Sequence, residues 1–285
     1  MFTKKTTSLL LGSHLSIQGG LHKAIERAEE IGATAIQIWT KNGRTLKATP
    51  LLPEDIDNFK TTLKKSSITQ MVVAHASYLI NLASSDTHIA ANSRAGLLVE
   101  LERCEQLGIP YLVVHPGAHT GIGEEKGIEN IAHNLDKVLE KLQGPTIIAL
   151  ETMAGQGTTL GNTFEQLNMM RNLTTFKNKI GFCFDTCHVN SAGYHLKTSE
   201  DFENVISEFD NIIGLNHLKV IHLNDSKTEC DSHVDRHENI GKGTIPLKVL
   251  KLFVHDPRLV HAPKILETPE QNGHLGYKDE MDLLR

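Results

Sequence analysis

QMVVAHA (residues 70–76), YLVVHPG (111–117), TIIALET (146–152), IGFCFDTCH (180–188) and LKVIHLND (218–225) are five short strand-like runs lying far apart in the chain. Each ends on an imidazole or a carboxylate: His75, His115, Glu151, Asp185 with His188, and His222. A sixth run, KILETP, places Glu267 the same way, and the loop before it carries Val234-Asp235-Arg236-His237. If the strands are parallel and close into a barrel, all of these side chains arrive at one rim. Nine such donors are more than one or two metal ions require. The number points to a metal cluster, and a cluster points to phosphate chemistry.

Outward from these runs, strand patterns alternate with amphipathic helical patterns along the chain. Strands are expected at 8–14, 34–40, 70–76, 111–117, 146–152, 180–186, 218–225 and 264–269. Helical stretches such as GGLHKAIERAEEIG, RAGLLVELERCEQLG and GIENIAHNLDKVLEKLQ lie between them. Pro53 and Thr198 sit where helices should start, and Gly32, Gly108 and Gly144 where helices should stop. Such alternation argues for parallel βαβ units. Eight units make a (β/α)8 TIM barrel, an α/β fold, whose active site forms at the C-terminal ends of the strands. The 285 residues fit one such domain. We expect it to span residues 9–285, with residues 1–8 a polar leader.

Composition narrows the class. No apolar stretch approaches the roughly 20 residues of a membrane span, and the N-terminus lacks signal-peptide features. The expectation is a cytoplasmic chain with no membrane association. Its four cysteines, Cys104, Cys183, Cys187 and Cys230, read as reduced thiols. The formal charge of −5 is unusual for a nucleic-acid binder. Four of the nine donors are carboxylates, however, and three divalent ions would bring the balance to about +1. Charge therefore neither excludes nor favours a phosphodiester substrate.

Histidine is the compositional outlier, with sixteen residues against nine Phe, four Tyr and one Trp. A single histidine at a strand end is more often a surface group than a ligand. The nine donors stand out because they recur at equivalent positions in successive units. Imidazoles and carboxylates without thiolate suit zinc, manganese or iron. Asp235 and His237, two apart in an extended segment, face the same side and could grip one ion together. Glu151 and Glu267 could each bridge two ions. His14 and His119 are possible supporting groups, and His195 and His233 are left outside the donor set.

HASYLINLAS, VVHPGAH, ALETMAGQGTTLG, FDTCHVNSAGY, HLNDSKTECDSHVDRHENIGKGTI and ILETP closely resemble the endonuclease IV family of apurinic/apyrimidinic (AP) endonucleases. The resemblance runs from Leu11-Gly-Ser-His14 to the final helix. It implies a (β/α)8 barrel with a trinuclear zinc site that incises DNA at abasic sites. By that resemblance His75, His115 and Glu151 hold one zinc. Glu151 bridges to a second, completed by Asp185, His222 and Glu267, and His188, Asp235 and His237 hold the third. Manganese is an alternative occupant at one or more sites. The family's DNA-entering arginine and tyrosine match Arg44 in WTKNGRTLK and Tyr78 in HASYLI, with Gly43 standing where longer side chains often occur.

The expected activity is hydrolysis of the phosphodiester 5′ to an abasic site in duplex DNA, leaving a 3′-hydroxyl and a 5′-deoxyribose phosphate, as in base excision repair. Glu151 and Glu267 are its expected catalytic residues and a monomer its expected state. The alternatives are a sugar isomerase or epimerase on the same barrel, built around one or two metals, and a barrel that only binds metal or DNA.

Overall fold

Eight parallel strands close on themselves in the computed structural model, which describes residues 9–285. The expected leader, residues 1–8, lies outside the described residues. In chain order the barrel strands are β1 (Leu11–His14), β2 (Ala35–Ile38), β3 (Met71–His75), β4 (Tyr111–Val114), β5 (Ile147–Glu151), β6 (Ile180–Asp185) and β7 (Leu218–His222). Two short strands follow, β8 (Asp225–Ser226) and β9 (His237–Glu238), and then β10 (Lys264–Leu266) closes the barrel between β7 and β1. Every barrel pairing is parallel. The (β/α)8 barrel is the expected fold, and every expected strand is present.

Inside the barrel, Ala35, Val73, Val113, Ala149, Cys183, Val220 and Ile265 form a fully buried cluster of their own. Their opposite neighbours along each strand, such as Ile36, Val72, Leu112, Ile148 and Phe182, belong to the second and larger core between sheet and helices. This is the period-two alternation of a strand buried on both faces. Gly12 holds the corresponding place in β1, and a Cβ there would meet the Ala35 carbonyl oxygen at 1.7 Å. Glycine is required by close approach at that point.

The helices begin and end largely where their capping chemistry directs. They are α1 (His22–Ile31), α2 (Pro53–Lys65), α3 (Thr87–Leu107), α4 (Glu124–Leu139), α5 (Phe164–Leu173), α6 (Thr186–Ser191), α7 (Ser199–Ile212), α8 (Leu247–His255) and α9 (Gly276–Leu284). Gly32 and Gly108 end α1 and α3 in the left-handed conformation. Pro53 opens α2, and Thr198 with Asp201 forms a capping box on α7. Gly144 is not a helix stop. Helix α4 ends at Leu139, and Gly144 lies in the loop beyond, where a side chain would collide with Glu105. Two further departures concern helices. The third helix starts at Thr87 because Asp86 accepts from the backbone N–H groups of His88 and Ile89. Six-residue α6 follows β6 directly, too short to show a period in the sequence.

Three of the expected strands end early with consequences for the rim. The run 111–117 is strand only to Val114 and the run 264–269 only to Leu266, which leaves His115 and Glu267 each one residue beyond. The run 218–225 stops at His222, and Asp225 belongs to a separate hairpin, paired antiparallel with Glu238. Its carboxylate accepts from the N–H groups of Gly241, Gly243, Ile245 and Ser226. These bonds fold the 225–245 loop back over the barrel and so position Asp235 and His237.

At the opposite end, Lys264 is a fully buried cation whose Nζ donates to the Leu259 carbonyl at 2.6 Å. Burial lowers its pKa to about 8, against a weaker opposing pull from Asp256. The unfolded lysine holds its proton up to about 10.4, so stability from this group rises as pH climbs from about 8 through that value. Lys264→Met should therefore be more stable than wild type at pH 7, by about 1–3 kcal/mol. Denaturant titrations should show the gap closing above pH 8, and a gap independent of pH would contradict the assignment.

Candidate metal centre

Two residues beyond the inner apolar layer, on the same face of each strand, stand Gln37, His75, His115, Glu151, Asp185, His222 and Glu267. His14 occupies the matching place after Gly12. The alternation that points Ala149 inward points Glu151 inward as well, one layer nearer the C-terminal rim. Each strand thus supplies one polar side chain to a common ring. His188 joins it from the first turn of α6, and Asp235 and His237 from the returning loop.

Glu151 is the hub of the ring. It has no exposed surface, and its two oxygens face different partners. Oε2 lies 3.2 Å from His75 Nε2 and 3.1 Å from His115 Nε2. Oε1 lies 2.9 Å from His222 Nδ1, which is also 3.1 Å from Glu267 Oε2 and 3.8 Å from Asp185 Oδ2. Ligand atoms of His75, His115 and Glu151 therefore gather in one group, and those of Glu151, Asp185, His222 and Glu267 in a second. A third collects around His188 Nε2, with Asp235 Oδ1 at 3.2 Å. Asp235 Oδ1 and Asp185 Oδ2 lie 3.5 and 3.6 Å from His237 Nε2. Asp185 thus stands between the second and third groups.

Backbone carbonyls set which nitrogen of each histidine faces the ring. His75 Nδ1 donates to the Ala76 carbonyl at 2.7 Å, His188 Nδ1 to Thr152 at 2.8 Å and His237 Nδ1 to Glu267 at 3.0 Å. A carbonyl can only accept, so the proton sits on Nδ1 and Nε2 is left as a lone-pair donor. His222 is reversed, its Nε2 facing Gln37 Oε1 at 2.8 Å and its Nδ1 the ring. Carboxylates are held in the same manner. Asn224 Nδ2 donates to Asp185 Oδ2 at 2.7 Å, and Gln37 Nε2 to Glu267 Oε1 at 2.6 Å. Asp185 Oδ1 meanwhile accepts from His188 N–H, capping α6. Outer partners of this kind orient metal ligands.

The residues fit a metal cluster on their own chemistry. The Nε2 atoms of His188 and His237 are buried yet make no hydrogen bond, although carboxylate oxygens lie close to both. Burial pushes the thiols of Cys183 and Cys187 up to about 12, although Cys183 lies beside Glu151 and His222 and Cys187 beside Asp235 and His237. Burial disfavours charge on Glu151, but the facing His222 and His115 hold it well below the usual carboxylate range. Burial likewise opposes charge on His188, and the nearby Asp185 and Asp235 overcome it, raising its pKa well above the ordinary value; a bound cation would take the place of the Nε2 proton that these carboxylates favour.

With this geometry in place, similarity to known proteins decides the family. A family model described as a xylose isomerase-like TIM barrel matches residues 25–285. A protein of Chloroflexus aurantiacus named probable endonuclease 4 is 44% identical over 273 residues, covering 95% of both chains. The chain belongs to the endonuclease IV family. The crystal structure of endonuclease IV from Thermus thermophilus superimposes with a TM-score of 0.83 at 32% identity, over 96% of this chain and 97% of that one. A D-tagatose 3-epimerase-like protein gives a TM-score of 0.72 at 20% identity, covering 97% of each chain, and shares the fold.

All nine donors expected of an endonuclease IV chain converge on the ring. Two other members of the ring, Gln37 and His14, were not among them. His14 Nδ1 lies 3.3 Å from Glu267 Oε1 and 3.0 Å from Gln37 Nε2, and its ring meets Trp39 edge-on at 4.5 Å. His14 thus takes the supporting place expected of it, whereas Gln37 is signalled only by the two-residue offset from the inner layer, since its side chain is not a usual ligand. His119 lies elsewhere, its Nδ1 accepting from the loop N–H groups of Gly121 and Gly123. His233 faces Asp231 and the Ala154 carbonyl.

Tyr78 and Arg44 are exposed at the mouth of the site, on the loops after β3 and β2. They line a groove of about 860 Å³ together with Trp39, His237 and Glu267, and Trp39 and Tyr78 also wall a cavity of about 150 Å³ over the donors. Gly43 is explained by Trp39, because a Cβ there would meet the indole at 2.9 Å. Trp39 is the chain's single tryptophan. Gly43→Ala should therefore shift the intrinsic emission maximum of the protein before any DNA is added. An unchanged spectrum would show that the indole does not rest on Gly43.

Proposed function

We propose that this chain is a zinc-dependent endonuclease that hydrolyses duplex DNA on the 5′ side of abasic sites, leaving a 3′-hydroxyl and a 5′-deoxyribose phosphate. The observation that carries this reading is Glu151, a carboxylate without exposed surface whose two oxygens face separate groups of donors. Such a residue has use in a multi-metal site and little in a single-metal one. His75, His115 and Glu151 would hold one zinc, Glu151, Asp185, His222 and Glu267 a second, and His188, Asp235 and His237 a third, with manganese an alternative occupant. Bound there, the ions supply positive charge to the phosphate oxygens and acidify water near neutral pH.

The chain's own residues do the rest. Glu151 and Glu267 fix where the reacting groups sit, and Gln37, His14 and Asn224 keep the carboxylates from rotating. Tyr78 and Arg44 enter the duplex beside the lesion. An abasic nucleotide has no base to unstack or unpair, so its extrusion costs less than the few kcal/mol of a normal one. The walled cavity beyond Tyr78 then receives the sugar and turns intact nucleotides away. We take the enzyme to act as a cytoplasmic monomer, and among the described residues no helix is long and apolar enough to cross a membrane. A sugar isomerase would have no use for the third group of donors.

A labelled duplex with one tetrahydrofuran abasic analogue tests the reading, because the analogue cannot undergo β-elimination. Wild type should give a single product ending in a 3′-hydroxyl just 5′ of the analogue, and metal analysis should find close to three ions per chain. Glu267→Ala should lose more than about 100-fold in incision rate, since even outer partners of metal ligands cost up to that much. Its melting curve should remain cooperative. Equal cleavage by the variant, or one ion per chain, would refute the assignment.

A further inference from the structure

Beneath Arg44 and Tyr78 lies a buried charge cluster separate from the metal donors. Glu100 on α3 is almost fully buried. Its Oε1 accepts from Lys41 Nζ at 2.7 Å and from the Ser77 backbone N–H at 3.2 Å, and its Oε2 accepts from the Thr40 hydroxyl at 2.9 Å. One turn along the helix, Arg103 donates from Nε and Nη2 to the Thr40 carbonyl, and from Nη1 to the Thr49 carbonyl at 2.8 Å. Lys41 Nζ also reaches the Thr45 carbonyl. The Ser77 hydroxyl donates to the Gly43 carbonyl at 2.6 Å. Segment 40–49, which carries Arg44, and segment 76–79, which carries Tyr78, are thereby fastened to one helix and to each other.

Burying two charges costs several kcal/mol per ion, and a well-packed apolar pair often holds a core as firmly. What an apolar pair cannot do is direct named backbone groups of two loops to fixed points. Here one carboxylate receives both loops, and the ammonium that neutralises it belongs to the first of them. The bonds end next to the two exposed side chains, at Gly43 and Ser77, and reach no ring member.

We propose that Glu100 and Lys41 form a positioning pair that sets the spacing of Arg44 and Tyr78 so that both enter the duplex together. This rests on the DNA-entering role assigned to those two residues above. The pair acts on lesion engagement, and the metal ring beside it works without it.

The test uses the metal-loaded protein and the tetrahydrofuran duplex. Glu100→Gln combined with Lys41→Met removes the ion pair while Arg103 stays on the Thr40 and Thr49 carbonyls, so cooperative melting is checked first; Glu100→Gln alone is measured beside it. The double variant should keep its metal content, melt cooperatively and hold kcat within about twofold, while KM rises about tenfold or more. In a Tyr78→Ala background the same double change should add less than about twofold to KM, because residues acting through one another are not additive. An unchanged KM in the folded double variant would overturn the proposal. So would a fall in metal content and kcat alongside KM, which marks a general structural role, or full additivity with Tyr78→Ala. Tyr78→Ala and Arg44→Ala are measured singly. If neither raises KM, the DNA-entering role is itself wrong and the proposal falls with its premise; a rise in KM with Tyr78→Ala but not with the double variant sinks the proposal alone.

Discussion

A carboxylate with no exposed surface has to be neutralised from within, and Glu151 is that carboxylate here. Leaving it charged and alone would cost several kcal/mol. Imidazoles therefore crowd both of its oxygens, and they in turn need partners of their own. The requirement propagates outward. Backbone carbonyls of Ala76, Thr152 and Glu267 take the far nitrogens of three histidines, and Gln37 takes that of the fourth. Removing one outer partner frees a ring to turn, and a turned ring leaves charge uncompensated at the centre.

This demand coexists with a stable barrel because the strands separate the two tasks by layer. The inner cluster of Ala35, Val73, Val113, Ala149, Cys183, Val220 and Ile265 forms a dry floor, and the polar ring stands on it. The helices bind the outer faces of the same strands through a separate apolar core. Burial of the floor fixes the strand register, and the register fixes the ring. Polar crowding at the rim is thus carried by packing elsewhere, as expected where one barrel face serves chemistry and the other stability.

Much of this was legible in the sequence, for a physical reason. Period-two alternation makes the residue at a strand's end inherit the direction of the residue two before it, so Val73 announces His75 and Ala149 announces Glu151. The fold and six of the donors followed from that repetition; His188, Asp235 and His237 lie outside the barrel strands, and the family motifs supplied them and the grouping. Less legible was whatever depends on a single local interaction. Helix α6 has too few residues for a period, and the early start of α3 rests on the Asp86 cap alone. Gln37 fills a donor's place with a side chain that is not a usual ligand, so its residue type hid it. Asp185 reads from the sequence as a ligand alone, yet its two oxygens divide between the donor ring and the cap of α6. Gly43 is intelligible only beside Trp39, a neighbour that strand and helix patterns do not reveal.

The donors of the ring are drawn from segments between His75 and Glu267, with hardly two of them adjacent in sequence. No fragment of the chain short of the last barrel strand contains the set. The group of His75, His115 and Glu151 is complete in sequence by residue 151, but the group of Glu151, Asp185, His222 and Glu267 waits for the strand that closes the barrel. A chain cut before Glu267 would lack part of the second donor group and leave the centre unassembled.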